Sequence, residues 1–535
     1  MDEEILIHQA MEEQQDMTAV EQFAFKKDFH QLSPEMPRYT QLIPKRTPGP
    51  GQQYAFEVNL DQCTGCKACV TACHNENGLE EDETWRTVGL IHGVGTDGPA
   101  IQHVTAACHH CLEPACMHGC PVNAYEKDPA TGVVKHLDDQ CIGCQYCMLT
   151  CPYDVPKYNK KKGIVHKCDM CISRLEVGEA PACVRACPNE AIRITLVETA
   201  AVRKDPSEFV RIPQAPDSRY TLPTTRYVSA RDLPADMTSV DAASFKPQHP
   251  HMPLVVMLVL TQLSVGAFLV EWLTDHALDA GLRALLLPAH VFSALGAGLL
   301  ALGASIFHLG RPQYAFRAVL GIRKSWLSRE IIAFGFFAFM AFVYAMNTHI
   351  DALAWMVLAS GLFAVFTSVM VYRATRRVLW DTPLTTFKFF MTAAVLGTAM
   401  VLAVSLSVFA GDPRVFVEVM QAIGVPLAKL LMVLSAVKIM VEASLFSNLR
   451  DTQMTALKKS AVLMTGPLRS FTVQRFVYGI IGGFVMPALL LAMCAYLAPS
   501  WVLIWVWTMA AMTVAAEFME RYLFFRAVIP LNMPH

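Results

Sequence analysis

The distribution of hydrophobic and polar residues divides this chain into two halves. Residues 1–250 are polar and contain only short apolar stretches, whereas from Pro253 onward long apolar runs alternate with short charged loops. A helix needs about 20 predominantly apolar residues to cross a bilayer. The second half therefore predicts eight membrane-spanning helices, at residues 253–274, 285–307, 331–348, 352–372, 386–409, 423–444, 476–497 and 501–523.

The polar half contains a repeated local pattern. Tyr54 to Leu60 alternates apolar and polar side chains, which predicts a short strand, and it leads into Asp61-Gln62-Cys63-Thr64-Gly65-Cys66. Val133 to Leu137 leads in the same way into Asp139-Gln140-Cys141-Ile142-Gly143-Cys144. This echo predicts two related structural units.

Cysteines supply the strongest chemical signal. Sixteen of the 17 cysteines fall into four groups, and proline follows the last cysteine in three of these groups (Pro121, Pro152 and Pro188). Runs of C-x-x-C that end in C-P are typical of two-cluster ferredoxins, in which the fourth cysteine reaches the neighbouring cluster. Sixteen thiolates predict four [4Fe–4S] clusters. The groups are Cys63, Cys66, Cys69 and Cys73; Cys108, Cys111, Cys116 and Cys120; Cys141, Cys144, Cys147 and Cys151; and Cys168, Cys171, Cys183 and Cys187.

Zinc, disulfides and covalent haem fit these cysteines less well. Zinc sites use paired C-x-x-C units separated by a spacer, and runs of three or four close cysteines do not suit one tetrahedral ion. Disulfides need an oxidising compartment, and the N-terminus has neither an apolar signal segment nor twin arginines. No C-x-x-C-H arrangement is present, which excludes covalent haem. The net charge of −2 says nothing about partners, and we expect no nucleic-acid partner.

Together these patterns predict the fold class. We expect an α+β ferredoxin-like iron–sulfur domain with two pseudo-repeated two-cluster units, followed by an all-α integral membrane bundle of about eight transmembrane helices. Scattered prolines before the membrane half predict an extended linker. The expected boundaries are an N-terminal arm at 1–53, the four-cluster domain at 54–200, the linker at 201–252 and the transmembrane anchor domain at 253–535.

Both halves resemble parts of one enzyme family. Cys108-His109-His110-Cys111-Leu112-Glu113-Pro114-Ala115-Cys116 and Cys141 to Tyr153 resemble the four-cluster iron–sulfur subunit of the DMSO reductase superfamily of molybdenum enzymes. His308-Leu309-Gly310-Arg311-Pro312 and Ser325-Trp326-Leu327-Ser328-Arg329-Glu330 resemble the matching membrane-anchor subunit. In the family these are usually separate polypeptides, so the chain resembles a natural fusion of the two.

The resemblance implies a crossed arrangement of cluster ligands. Some relatives lack a cysteine at the position of Cys116 and hold a three-iron cluster, but here the residue is cysteine, so we expect four cubanes. The implied ligand sets are Cys63, Cys66, Cys69 and Cys187; Cys168, Cys171, Cys183 and Cys73; Cys108, Cys111, Cys116 and Cys151; and Cys141, Cys144, Cys147 and Cys120.

A quinone site is expected where the second and third membrane helices approach each other. His308 ends the second predicted helix beside Gly310 and Pro312, and histidine exchanges protons near neutral pH. Glu330 begins the third helix, and the resemblance implies the same pair of residues, so the expected site comprises His308, Gly310, Arg311, Pro312 and Glu330. The alternative is that His308 only caps its helix and that Glu330 pairs with Arg329 or Arg311.

Haem is not expected in the membrane. His290 and His308 lie on one helix, 18 residues apart, which is about 27 Å at 1.5 Å per residue. They therefore cannot ligate one haem together. Among the other intramembrane charges, Lys438 and Glu442, and likewise Glu517 and Arg521, have the i,i+4 spacing of ion pairs. A proton path through such residues is the alternative.

Loop charge predicts the orientation in the membrane. The loops on the side of the cysteine-rich half are basic, and the opposite loops carry little beyond Arg283 and Arg414. The positive-inside rule places the iron–sulfur domain and both termini in the cytoplasm, at the bacterial inner membrane. The alternative is that the basic loops dock the iron–sulfur domain whichever side it occupies. Related DMSO reductases are thought to place their catalytic part outside, so the orientation fits better a relative such as the membrane-bound sulfite dehydrogenase.

The resemblance implies an electron-transfer and membrane-anchor subunit of a respiratory molybdenum oxidoreductase, without catalytic residues of its own. Electrons would pass between quinone or menaquinone and a separate catalytic subunit that carries molybdopterin. The reaction there would be sulfite oxidation to sulfate, or reduction of an S- or N-oxide. Two alternatives are a redox-driven proton-pumping subunit and a cluster-bearing redox sensor without a catalytic partner.

Overall fold

The computed structural model describes residues 39–95, 98–275, 279–494 and 496–534. Two parts follow each other in sequence. They are a small α/β domain, here called the cysteine-rich domain (residues 39–250), and a helical membrane domain (residues 252–534). This division confirms the predicted fold class. Most of the expected N-terminal arm lies outside the described residues.

The main sheet of the cysteine-rich domain is built around the predicted first strand. Strand β1 (Gln52–Asn59) lies between β8 (Ile192–Glu198), which is antiparallel to it, and β9 (Arg226–Val228), which is parallel. Phe56 of β1 is buried opposite Ile194. Both neighbours of β1 lie far from it along the chain, so this sheet joins the beginning of the domain to its end.

Three smaller sheets complete the domain. β2 (Thr87–Gly95) and β3 (Gly98–Ala106) form a hairpin, and β10 (Thr238–Ser239) pairs with β2. The two remaining sheets are the pairs β4 (Tyr125–Lys127) with β5 (Val134–His136), and β6 (Lys157–Asn159) with β7 (Ile164–His166).

The segment expected to be an extended linker packs on the cysteine-rich domain. β9 and β10 both lie within 201–252, and each adds a short strand to a sheet. Prolines keep this segment extended, and the residues between them can still donate to open strand edges. The path to the membrane therefore begins only after β10.

Short helices follow the cysteine turns, and their backbones show the internal repeat. Gly65 and Gly143 both have positive φ, 72° and 68°, and so do Lys67 and Gln145, which precede helices (φ 62° and 59°). A positive φ favours glycine, which explains the residue type at positions 65 and 143. The six helices are α1 (Ala68–Glu76), α2 (Ala115–Gly119), α3 (Tyr146–Thr150), α4 (Ile172–Glu176), α5 (Ala182–Arg185) and α6 (Thr199–Lys204).

The described part of the membrane domain contains eight helices long and apolar enough to cross a bilayer, as predicted. The sixth and seventh are interrupted by π-helical turns at Met420–Gly424 and Ile481–Val485. In order, the spans are Met252–Thr274, Ala280–Ile306, Trp326–Met346, Asp351–Arg373, Pro383–Val408, Pro413–Arg450, Arg469–Met493 and Pro499–Arg526.

The first and fifth membrane helices form the centre of the bundle. They approach closely at Gly266 and Gly397, where an added Cβ on either residue would meet the backbone of the opposite helix. Small residues permit such close helix contacts in membranes. The backbones of the two helices are therefore in direct contact, and the other helices pack around this pair.

Candidate functional site

All 17 cysteines are free thiols in the described part of the chain, and the sixteen of the four sequence groups lie in the cysteine-rich domain. Most of these sixteen are buried; Cys66 is exposed, and Cys63, Cys144 and Cys171 are partly exposed. Within the described residues, no group of three or more His, Cys, Asp or Glu side chains is arranged around a single metal ion.

The fold brings cysteines from different sequence groups together. Each of four sets combines three cysteines of one group with one cysteine of another, close enough to interact electrostatically. Set 1 is Cys63, Cys66, Cys69 and Cys187; set 2 is Cys73, Cys168, Cys171 and Cys183; set 3 is Cys108, Cys111, Cys116 and Cys151; and set 4 is Cys120, Cys141, Cys144 and Cys147.

The four sets follow one another in space. Cys69 of set 1 interacts with Cys183 of set 2, and Cys168 of set 2 interacts with Cys108 of set 3. Tyr125 interacts with cysteines of both set 3 and set 4. The order is therefore set 1, set 2, set 3 and set 4.

Burial makes these thiols hard to ionise without a cation. It raises the pKa of Cys73 to about 12, and the neighbouring thiolate of Cys183 acts in the same direction on that pKa. Burial likewise raises the pKa of Cys151 and of Cys171 to about 12. Metal binding deprotonates a coordinating thiol. The sets therefore suit positively charged metal centres, which compensate the charge of buried thiolates.

Buried polar side chains also face the cysteine sets. Arg86 Nη2 has no hydrogen-bond partner in the described residues, and Tyr125 Oη and His136 Nε2 have none other than the sulfur of Cys147 and of Cys141. A buried donor without an acceptor costs about 1–3 kcal/mol. Cluster sulfur atoms would provide the missing acceptors, so the residues present fit iron–sulfur clusters.

Set 4 lies against the membrane domain. His308 Nε2 is 3.1 Å from the backbone oxygen of Cys144, and the backbone N–H of Arg311 donates to Ile142 O at 3.1 Å. Gly310 packs so closely on Gly163 that an added Cβ would meet the backbone of that residue. The His308 motif therefore forms the junction between the two domains.

The other motif residues also contact the cysteine-rich domain. The Arg311 guanidinium donates to Asp138 O at 2.7 Å, and Pro312 begins a short 3₁₀ helix (Pro312–Val319). Arg317 of this helix donates to Asp139 O at 2.8 Å. Gly310 and Arg311 therefore hold the junction together, and Pro312 begins the helix that carries Arg317.

His308 packs in a group of three histidines. Its ring lies 5.1 Å from that of His251, which lies 5.0 Å from that of His249. Burial lowers the pKa of His308 below its ordinary value, and burial lowers the pKa of His251 to about 3. Both rings are therefore held in the neutral form.

Glu330 lies in the membrane close to this junction. It is 4% exposed and accepts a hydrogen bond from Ser368 of the fourth membrane helix. Tyr146, next to Cys147 in sequence, interacts electrostatically with Glu330 and donates to Val371 O at 2.7 Å. No hydrogen bond or ion pair of the described residues joins His308 to Glu330. The structure thus brings both close to set 4 by separate contacts.

The alternative partners of Glu330 are excluded by the geometry. Arg329 donates to the backbone oxygens of Ile322 and Arg323, both at 3.0 Å. Arg311 is used at the domain junction, as described above. The carboxylate of Glu330 instead has a hydroxyl partner, Ser368, which the sequence did not indicate because it is distant along the chain.

Buried charges of the later membrane helices form one network. Arg475 donates to both carboxylate oxygens of Glu442, at 2.8 and 2.9 Å, and lies 3.1 Å from Glu517. Lys438 pairs with Glu442 at 3.7 Å, as expected, and also with Glu517. The expected pair of Glu517 with Arg521 is wrong, because Arg521 lies 3.0 Å from Glu520 instead.

Comparison with protein-family models gives two matches. A model described as a 4Fe-4S dicluster domain matches residues 100–196. A model described as the DMSO reductase anchor subunit matches residues 247–526. The two matches correspond to the cysteine-rich domain and to the membrane domain.

Curated relatives match the cysteine-rich part. The B subunit of the anaerobic dimethyl sulfoxide reductase of Haemophilus influenzae is 39% identical over 150 residues, which cover 26% of this chain and 73% of that protein. The B subunit of the Escherichia coli enzyme is 33% identical over 179 residues, covering 32% of this chain and 86% of that protein. The hydrogenase-2 operon protein HybA of Escherichia coli O157:H7 is 38% identical over 156 residues, covering 24% of this chain and 48% of that protein.

The order of the cysteine sets, the junction at set 4 and these two matches lead to one conclusion. The cysteine-rich domain supplies iron–sulfur ligands, and the membrane domain supplies the anchor, within a single polypeptide. The protein belongs to the DMSO reductase family as an electron-transfer iron–sulfur subunit fused to its membrane anchor.

Proposed function

We propose that this chain conducts electrons between a membrane quinone and a separate molybdopterin-containing catalytic subunit. The observation that carries the proposal is the linear order of the cysteine sets. Set 4 contacts the membrane domain at Cys144 O, while set 1 at the other end contains the exposed Cys66. A conductor needs such access at both ends.

Four [4Fe–4S] clusters would occupy the four sets, with one cluster per set. Each would accept and release one electron at a time. The protein's part is to hold the four cysteines of each set, bury them and supply hydrogen bonds to sulfur. Support comes from the buried donors that face the sets, of which Arg86 Nη2 has no partner in the described residues, and from the raised thiol pKa values described above.

The quinone, or menaquinone, would bind where the second, third and fourth membrane helices meet set 4. Glu330 and Ser368 would hold the head group, and the His308 ring lies at the same junction. Glu330 is the buried carboxyl group that can exchange a proton with a quinone oxygen. Tyr146 links this region directly to the helix that carries Cys147.

The catalytic partner would dock over set 1. Cys66 is exposed and Cys63 partly exposed, so a partner covering them could bring its own redox centre close to the first cluster. No molybdopterin would be bound by this chain itself. The partner's reaction would be sulfite oxidation to sulfate, with electrons flowing to quinone, or reduction of an S- or N-oxide, with electrons flowing from quinol.

We further propose a bacterial inner-membrane location with the cysteine-rich domain and both termini in the cytoplasm. Arg311, Arg317 and Arg377 of the basic loops donate to backbone oxygens of the cysteine-rich domain, so their charge serves docking as well. The proposed orientation therefore rests on the basic loop residues that do not contact the cysteine-rich domain. A reporter that is active only in the cytoplasm should be active when it is fused to the C-terminus. Activity of a phosphatase reporter that works only after export would reverse the proposed orientation.

Low-temperature EPR of membranes that contain the native complex, kept anaerobic, tests the function. Sulfite added to oxidised clusters, and an S-oxide added to quinol-reduced clusters, distinguish the two directions of electron flow. Reduction in the first experiment or reoxidation in the second would support the proposal and identify the reaction. A complex whose clusters respond to quinol but to neither substrate, and which contains no molybdenum, would refute the proposed partner.

A further inference from the structure

Arg86 is a buried cation without a carboxylate partner. It is 2% exposed, and no ion pair of the described residues includes it. Its Nη1 donates to Thr105 Oγ1 at 3.2 Å, and the guanidinium carbon lies 4.7 Å from the centre of the Phe56 ring. Nη2 has no hydrogen-bond partner among the described residues. One planar face and one N–H donor are therefore occupied, and another donor is left free.

The free donor lies between two cysteine sets. Arg86 interacts electrostatically with cysteines of both set 1 and set 2, and the strongest of these interactions are with Cys183 of set 2 and Cys69 of set 1. Thr105, which accepts from Arg86, also lies 3.7 Å from the sulfur of Cys69. In addition, Arg86 lines a cavity together with all four cysteines of set 2.

Burial of this charge needs compensation. A buried cation that is not paired carries a large desolvation cost. Asp169 lines the same cavity but forms no ion pair with Arg86 in the described residues, so the groups that can compensate the Arg86 charge are the cysteines of sets 1 and 2.

We propose that Arg86 sets the reduction potentials of the clusters in sets 1 and 2, by donating from Nη2 to a cluster sulfur and by placing a permanent positive charge between them. A cluster gains negative charge on reduction, and a nearby cation stabilises the reduced form. Charge and hydrogen bonds to sulfur are established determinants of cluster potential. This inference rests on the proposed occupancy of the sets by [4Fe–4S] clusters.

Set 4 provides an internal comparison. Its buried polar neighbours within the cysteine-rich domain include Tyr125 and His136, and His136 is 2.8 Å from Asp138. No buried arginine of the cysteine-rich domain interacts with it in the described residues. Loss of the Arg86 charge should therefore act on the two clusters furthest from the membrane and leave the cluster of set 4 unchanged.

Redox titration of the intact chain, followed by EPR, tests the proposal. Arg86→Gln removes the charge but keeps one donor, and Arg86→Lys keeps the charge but loses the planar pair of N–H groups. Arg193→Gln is the matched control, since the Arg193 side chain is 42% exposed on β8 and its charge is screened by water. Iron content is measured in each variant.

In Arg86→Gln we expect two of the four clusters to become at least tenfold harder to reduce, which is about 59 mV for one electron. In Arg86→Lys the shift should have the same sign and be smaller. Arg193→Gln should shift none. Unchanged potentials in an iron-replete Arg86→Gln variant would overturn the proposal, and so would an equal shift of all four clusters.

If Arg86→Gln fails to assemble, the Arg86→Lys titration decides, because no shift of any cluster in that variant would refute donation from Nη2. The unmodified chain separates this test from the proposed function. Fewer than four clusters in it would contradict the proposed function. Four clusters with no effect of Arg86 would contradict only this inference.

Discussion

The buried charge network in the membrane makes a quantitative prediction for Arg475. Its guanidinium holds Glu442 by two hydrogen bonds and also contacts Glu517, and all three side chains are at most 7% exposed. Arg475→Met would leave two buried carboxylates with Lys438 as their nearest cation. Removal of one partner from a buried ion pair costs about 3–5 kcal/mol. The folded-to-unfolded ratio should therefore fall roughly a hundredfold or more.

Thermal unfolding of the purified chain in detergent measures this effect. Lys429→Met is the matched control, because Lys429 is an exposed cation of the sixth membrane helix and its removal should change stability little. The double variant Arg475→Met with Glu442→Leu should recover much of the loss, since an apolar pair can replace a buried ion pair. An Arg475→Met variant as stable as the Lys429→Met control would refute the reasoning.

The same network separates structural pairing from proton pumping. Replacement of Lys438 and Glu442 in a pump would abolish proton release into the lumen of proteoliposomes and spare electron transfer. A structural network predicts instead that electron transfer falls only with the amount of folded protein. The network supports the second outcome, because every one of its carboxylates has a cationic partner within 4.0 Å.

Three further predictions concern the domain junction. In Gly310→Ala the added Cβ would meet the backbone of Gly163 and disturb the junction. Electron transfer from quinol should fall tenfold or more, whereas transfer from a soluble viologen should be unaffected. Equal loss with both electron donors would contradict the role of the junction. Ser368→Ala removes the hydrogen bond to Glu330, and a hydrogen bond to a charged group contributes about 1.5–3 kcal/mol. The KM for quinol should therefore rise about tenfold, and an unchanged KM in steady-state assays would exclude a role of Ser368 in quinol binding. Burial lowers the pKa of His251 from 6.5 to about 3, so between these pH values the unfolded state binds more protons than the folded state. The stability of the fold should therefore decrease as the pH drops from about 6.5 to 3. His251→Gln should flatten the dependence of Tm on pH, and an unaltered profile would refute this assignment.

Local spacing and long-range contact explain what the sequence could and could not predict. Cysteine spacing and apolar runs are local, so the four cysteine groups and eight membrane spans were predictable. Ser368 as the partner of Glu330 was not, because 38 residues separate the two. Arg475 was also missed, since the seventh membrane helix begins at Arg469, before the apolar run that predicted it. Helix ends with polar residues carry little hydropathy signal, yet here one of them completes a buried ion network.

The chemistry of the junction explains how a single polypeptide can keep a cluster and a membrane site in fixed register. Side chains of the membrane domain donate to backbone oxygens of the set 4 loops: Arg311 to Asp138, Arg317 to Asp139 and Arg377 to Met148. None of the described ion pairs crosses between the two domains. Backbone oxygens around a cluster are fixed by the cysteine turns, whereas carboxylates at side-chain ends can move. The position of set 4 relative to Glu330 is therefore determined by main-chain geometry, which is the property that the proposed electron transfer across this junction requires.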